Sequence, residues 1–186
     1  SERQAEIARR INENADEIGE YLSEIISASK EDFLSLETKN SEFYLSELIK
    51  GIEDYYGEKL ALLKTEFSIS KYENLLLKGD PDRSAEVLQN IIENAVKYGD
   101  GRRIEISFSQ EEDCELITVK NSGGTLSKSE LPHIFESFWR GSNAEKTQGS
   151  GLGLYICRQL MRKMNGEIYA ETNGEETAVT VVFGLA

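Results

Sequence analysis

Hydrophobic positions in the first thirty residues recur in a three-four alternation. Ala8, Ala15 and Leu22 are spaced by seven, and Ile11, Ile18 and Ile25, also spaced by seven, lie between them. This is the seam of a coiled coil or an antiparallel helix bundle. Asn12, Glu13, Asn14, Asp16 and Glu17 fall on the solvated side. A helix over residues 5–29 with so short a stripe is not stable alone, so a partner helix is implied. Packing on its own domain is the alternative.

Beyond residue 30 the period changes. Residues 42–45 predict a short strand, and Ser46 is placed to cap a helix from Glu47 to about Lys64. Residues 67–71 and 74–78 predict two strands. Asp80-Pro81 opens a helix, with the carboxylate as cap and proline in the first turn, where a missing N–H costs nothing. That helix runs to Tyr98 and stops at Gly99-Asp100-Gly101. Alternating Ile104, Ile106 and Phe108 predict a strand, and residues 116–120 the next. A polar stretch follows over 121–150. Inside it Ser127 and Glu130 form a capping box for a short helix from about Lys128 to Trp139. Another helix is expected over 151–164. Residues 167–171 and 178–183 close the chain as strands about an Asn173-Gly174 turn. The pattern predicts an α+β domain with mixed or antiparallel strands and helices gathered on one face.

Three groups in this frame carry chemistry. Asn90, Asn94 and Lys97 lie at i, i+4 and i+7, on one stripe of the helix that follows Pro81, with Tyr98 beside it. Two amides and an ammonium on one stripe suit a magnesium-phosphate group, because amides ligate the metal without adding negative charge beside a triphosphate. A polar outer face is the bland alternative. Gly149-Ser150-Gly151-Leu152-Gly153-Leu154 precedes an amphipathic helix. Glycines there let backbone N–H groups close on phosphate oxygens, aided by the helix N-terminus. The run is neither a P-loop nor a dinucleotide fingerprint. Between these groups lie Asn121-Ser122-Gly123-Gly124-Thr125-Leu126 and Phe135-Glu136-Ser137-Phe138-Trp139-Arg140, the latter in a loop long enough to be a lid.

These segments resemble the conserved boxes of sensor histidine kinases. Residues 88–98 look like the N box, 121–126 the first glycine box, 135–140 the F box and 149–154 the second glycine box. The match in order and spacing covers residues 42–186. The resemblance implies a two-layer ATP-binding sandwich of the GHKL superfamily, preceded by a helix over residues 1–35. That helix resembles the second helix of a dimerisation and phosphoacceptor hairpin. By the same resemblance Asn90 and Asn94 hold Mg2+, Lys97 reaches a phosphate and Tyr98 lines the nucleotide cleft. Asn121, Gly123 and Leu126 border the nucleotide. Phe135 and Phe138 anchor the lid, Arg140 approaches the β- and γ-phosphates, and Gly149, Ser150, Gly151, Leu152, Gly153 and Leu154 wrap them. The implied reaction is ATP-dependent transfer of the γ-phosphoryl to a histidine nitrogen, by positioning and charge neutralisation. Implied partners are a phosphoacceptor helix, a response-regulator receiver domain and a second copy in a homodimeric parent. Other GHKL ATPases, and a nucleotide-holding module without turnover, are the competing classes.

Two positions depart from the family. The first glycine box normally begins with Asp, where this chain has Asn121, and Thr125 replaces a glycine. An amide can turn over to face guanine, so weaker or less base-selective ATP binding is expected. The only histidine, His133, falls inside the lid segment and is read as a surface group rather than a phosphoacceptor. Composition narrows the partners further. A net charge of −13 over 186 residues opposes nucleic-acid binding. Cys114 and Cys157 lack metal-ligand company and are expected as reduced packing thiols. No signal peptide or membrane-length apolar run is visible, so a cytoplasmic domain of a membrane-anchored parent is expected.

Overall fold

The computed structural model describes residues 6–7, 9–10, 14, 18, 21, 37–123, 126–141 and 149–186. The chain divides into two compact units, Ser1–Glu37 and Thr38–Ala186. In the first, every described residue up to Tyr21 is helical, Ile7 and Ile18 are exposed, and Arg9 pairs with Glu6 at 3.0 Å. Ile18 is the one seam position described; Ala8, Ile11, Ala15, Leu22 and Ile25 lie outside the described residues.

The second unit is built on a five-stranded sheet in the order β2-β4-β5-β7-β6. The strands are β2 (Glu66–Ile69), β4 (Arg103–Glu111), β5 (Cys114–Ser122), β6 (Glu167–Thr172) and β7 (Glu176–Gly184). Only β2 and β4 pair in parallel; the other neighbours are antiparallel. A separate antiparallel pair joins β1 (Ser41–Tyr44) to β3 (Leu76–Gly79). Three helices pack against these strands: α1 (Leu45–Leu62), α2 (Pro81–Tyr98) and α3 (Gly153–Lys163). The expected α+β sandwich is what forms.

The core follows the two periodicities. On α1, Leu45, Leu48, Ile49, Ile52, Tyr56 and Leu60 are buried; on α2, Val87, Leu88, Ile91, Ile92 and Ala95 are. These stripes meet Ile104, Ile106, Ile117, Val119, Val179, Val181 and Phe183 from alternate strand positions. Each such aliphatic side chain contributes roughly 1.5–3 kcal/mol on burial. One contact ties α1 to α2 through polar atoms. Tyr56 Oη donates to Glu93 Oε1 at 2.9 Å, and Lys59 Nζ reaches the same oxygen at 2.6 Å. Cys157 is fully buried beneath α2, its thiol pushed up by burial, and is a packing residue.

Helix α2 starts as the sequence predicts. Asp80 accepts from the backbone N–H groups of Asp82 and Arg83 at 3.0 and 3.1 Å, with Pro81 in the first turn. A third N–H, from Lys39, reaches the same carboxylate at 2.7 Å.

Four expectations need correction. Ser46 does not cap α1, which begins at Leu45; the free N–H groups of Leu45 and Ser46 go instead to Leu75 O and Asn74 Oδ1. Strands β4, β5 and β7 are longer than their apolar cores suggest, because hairpin pairing carries them through polar ends. Helix α3 starts at Gly153 rather than 151, since Gly151 has φ +76°, outside the helical region. The helix expected over 128–139 is only a 3-10 turn at Leu131–His133. Half of the capping box forms: Ser127 N–H donates to Glu130 Oε2 at 2.8 Å, while the Glu130 N–H goes to Ser127 O rather than to the hydroxyl. No α-helix follows it: Phe138 sits at φ +62°, which ends any continuation.

Candidate functional site

The stripe on α2 and the glycine run before α3 face each other. Asn90 donates its Nδ2 to Glu86 O one turn back, at 3.1 Å, which orients its carbonyl oxygen away from its own helix backbone. A Cβ placed on Gly153 would lie 3.5 Å from Asn90 Oδ1 and 3.8 Å from Asn94 Nδ2. A Cβ on Gly149 would lie 2.5 Å from Lys97 Nζ and 3.5 Å from Tyr98 Oη. The loop from Gly149 to Gly153 therefore runs antiparallel to the stripe from Asn90 to Tyr98, with glycine at each close approach. All four polar groups of the stripe converge on backbone that carries no side chain there.

The lid residues join from the other side. A Cβ on Gly151 would fall 2.5 Å from Trp139 O, so the end of the F-box segment rests on the glycine loop. Arg140 acts on Tyr98 electrostatically; burial raises the Tyr98 hydroxyl above the ordinary phenol value and the Arg140 charge opposes that shift. Lys97 Nζ stands 5.5 Å from the centre of the Tyr98 ring. Leu152 is buried and its N–H points to Ser150 Oγ at 3.3 Å, while Leu154 and Leu126 are half-buried. Phe135 is buried, with the Arg158 guanidinium 5.7 Å from its ring centre, so it ties the lid to α3. Phe138 does not anchor anything in this way: it is 53% exposed. His133 is exposed and pairs through Nδ1 with Glu136 at 2.9 Å.

Asn121 lies at the end of the inner face of β5, opposite Ile104 and Thr177, and is buried. Its Nδ2 donates to Ser122 O at 3.1 Å. Gly123, at φ +79°, packs against Asp100 so tightly that a Cβ would collide with that side chain. Gly124 and Thr125 lie outside the described residues.

Sequence reasoning missed two members of this neighbourhood. Gly99 and Asp100 read only as a helix stop. In the structure the Asp100 carboxylate accepts from Ser122 Oγ and Arg102 Nε, both at 2.5 Å, and from the Arg102 N–H at 3.0 Å. The Ser122 hydroxyl bond, followed by the Arg102 N–H, pulls its pKa down to about 2. A Cβ on Gly99 would meet Asn121 Nδ2 at 2.9 Å. The only sequence signal was the density of glycine around one aspartate.

An α+β sandwich with an amide-ammonium stripe facing a glycine loop, and an aromatic lid resting on that loop, defines a nucleotide-phosphate-binding domain. The family described as histidine kinase-, DNA gyrase B-, and HSP90-like ATPases matches residues 79–186, and the chain belongs to it. Among curated relatives, the sensor protein VanS of Enterococcus faecium is 36% identical over 137 residues, covering 72% of this chain and 35% of VanS. The chain thus spans about a third of that relative's length. The solved catalytic domain of histidine kinase ThkA superposes with a TM-score of 0.69 at 28% identity, covering 79% of this chain and 96% of that one. Histidine kinase ThkA in complex with response regulator protein TrrA shares the fold over 95% of this chain and 49% of that one, with a TM-score of 0.74 at 24% identity.

Proposed function

We propose that residues 42–186 are the catalytic, ATP-binding domain of a histidine protein kinase. The observation that carries this reading is the approach of Gly153 to Asn90 and Asn94, and of Gly149 to Lys97 and Tyr98, in a family of ATPases. Gly153 begins α3, so backbone N–H groups of its first turn face the same hollow as the two amides.

The residues fit a hard cation held jointly with phosphate. Asn90 and Asn94 offer neutral oxygen ligands beside backbone that leaves room for a phosphate chain, and a hydrated Mg2+ needs only one or two ligands from protein. When bound, the ion neutralises phosphate charge that Lys97 and Arg140 alone do not offset. The side chains hold the triphosphate; Phe135 seats the lid and Tyr98 lines the cleft. The γ-phosphorus is attacked by a histidine nitrogen, the bond to the β-phosphate bridging oxygen breaks, and ADP departs. No residue of this chain takes the phosphoryl group: His133, its one histidine, sits on the lid paired to Glu136.

Residues 1–35 are then the second helix of a dimerisation hairpin, and the acceptor histidine belongs to its companion helix in a homodimeric parent. A response-regulator receiver domain receives the phosphoryl group next, as the pairing of ThkA with TrrA suggests by likeness. Among the described residues no helix is long and apolar enough to cross a membrane; we place this domain in the cytoplasm, on a membrane-anchored parent. The test is transfer of labelled γ-phosphate from ATP to a supplied histidine-bearing dimerisation domain. Acid-labile, base-stable label on that domain supports the reading. Nucleotide binding with no transfer to any such domain would reduce the chain to a nucleotide-holding module.

A further inference from the structure

Arg158 is half-buried on the middle turn of α3, and among the described residues its guanidinium forms no ion pair. What it meets is a ring. The guanidinium stands 5.7 Å from the centre of Phe135, which is buried, and a cation at that distance is held by the ring's quadrupole. Phe135 opens the segment that ends in Arg140. That segment has a second point of attachment. A Cβ on Gly151 would stand 2.5 Å from Trp139 O and 2.8 Å from the Phe138 carbonyl carbon, so the backbone there lies directly on the glycine loop. The stretch from Phe135 to Trp139 is thus fixed at both ends, once on α3 and once on the loop that precedes α3. Arg140 is the next residue. Its side chain is exposed and its charge acts on Tyr98. A long exposed side chain is aimed only as well as the backbone that carries it.

We propose that Arg158 is a positioning residue for phosphate binding: by stacking on Phe135 it fixes the backbone that aims Arg140 at the nucleotide phosphates. The proposal rests on the nucleotide reading of this site and adds to it a residue outside the four boxes. Arg158 acts through the ring and not by touching phosphate. A methionine or leucine at this position would fill similar space and leave the ring face without its cation. An Arg140 already held in place meets phosphate without first losing backbone freedom, which is the general gain from preorganisation. A ring-cation contact shifts an equilibrium by about two- to fivefold where exposed and by more where desolvated. Loss of Arg158 should act on ATP affinity at that scale.

The experiment is calorimetric titration of the 186-residue chain with Mg-ATP, with thermal melting to check folding. It compares the parent with Arg158→Met, Arg158→Lys, Phe135→Leu, Arg140→Ala and the double variant Arg158→Met, Arg140→Ala. Arg158→Met removes the charge and keeps the length, and should weaken ATP about threefold or more. Phe135→Leu removes the ring from the same contact and should do as much, so it decides the matter if Arg158→Met fails to fold. Arg158→Lys retains a cation and should fall between the parent and Arg158→Met. On the Arg140→Ala background Arg158→Met should weaken ATP no further, because the side chain it positions is gone. A merely structural role would lower affinity by the same factor on either background. Trp139 is the one tryptophan of the chain, and its emission should move to longer wavelength in Arg158→Met and Phe135→Leu. Unchanged ATP affinity in Arg158→Met overturns the proposal, as does a full loss that persists on the Arg140→Ala background. So does a Phe135→Leu variant that binds ATP like the parent, since Arg158 would then act by its charge and not through the ring. Each of these results sinks this proposal alone. Absence of ATP binding by the parent chain sinks the nucleotide reading together with it.

Discussion

Replacing Gly153 by alanine separates what the fold needs from what the ligand needs. Gly149 and Gly151 are required by the chain itself, through positive φ and close backbone or side-chain approach. Gly153 is not. It lies in a helix, and an added methyl would meet Asn90 Oδ1 at 3.5 Å and Asn94 Nδ2 at 3.8 Å, ordinary contact distances. Glycine in a helix costs up to about 1 kcal/mol relative to alanine. Gly153→Ala should therefore leave stability unchanged or raise it by up to ~1 kcal/mol, a melting-temperature gain of about 2–4 °C for a chain of this size. The same methyl occupies the hollow between the two amides and holds phosphate off the helix N-terminus. Loss of one hydrogen bond to a charged group is worth roughly 1.5–3 kcal/mol, so ATP affinity should fall at least about tenfold. Calorimetric melting and titration with Mg-ATP on one preparation read both quantities. A variant that melts higher and binds ATP as tightly as before would refute the placement of the phosphates. A variant that melts well below the parent would refute the argument that the fold tolerates a side chain there.

Two further predictions concern stability. Asp80→Ala removes the acceptor for three backbone N–H groups at the start of α2 and should cost about 1–2 kcal/mol in urea unfolding near neutral pH. Burial pushes this carboxyl up, but the N–H bonds from Lys39, Arg83 and Asp82 outweigh it and hold its pKa low. Its contribution is therefore present above the ordinary carboxylate pKa and lost as pH falls through the depressed value. Parent and variant stabilities should converge on acidification, and parallel curves would contradict the assignment. Glu115 is the opposite case. It is buried on the inner face of β5, its Oε2 has no hydrogen-bond partner, and burial with the nearby Glu73 charge pushes its pKa up. A raised acid loses stability as pH rises through its unfolded value, so Glu115→Gln should stabilise the chain by roughly 1 kcal/mol at neutral pH. That gain should vanish once the parent carboxyl is protonated in both states; a destabilised variant at neutral pH would show that the charged form has an uncounted role.

The parts of this fold legible in the sequence are those set by local chemistry. Asp80-Pro81 predicts the start of α2 because cap and proline act within one turn, and the stripe of Asn90, Asn94 and Lys97 follows from helical spacing alone. The lid was misread because the Glu130 carboxylate does reach back to the Ser127 N–H, a local signal. The 3-10 turn already stops at His133, and further on the backbone turns left-handed at Phe138, beside the Trp139 carbonyl that packs on Gly151, a contact set by the tertiary structure. Ser46 was misread for the same reason: the helix begins one residue earlier, at Leu45, where the N–H groups of Leu45 and Ser46 are met by Leu75 O and Asn74 Oδ1 from a different loop. Gly99 against Asn121, and Tyr56 against Glu93 at 37 residues' separation, are contacts between elements. Periodicity assigns each residue a face and says nothing of which residue lies opposite.

The central claim is that Asn90, Asn94 and the backbone at Gly153 together grip a magnesium-bound phosphate tail. The most direct measurement is ATP affinity with and without Mg2+ for the parent chain and for Asn94→Ala, by titration calorimetry. The parent should bind ATP at least about tenfold more tightly with Mg2+, and Asn94→Ala should lose most of that increment while keeping its metal-free affinity. An increment that survives intact in Asn94→Ala would contradict the account.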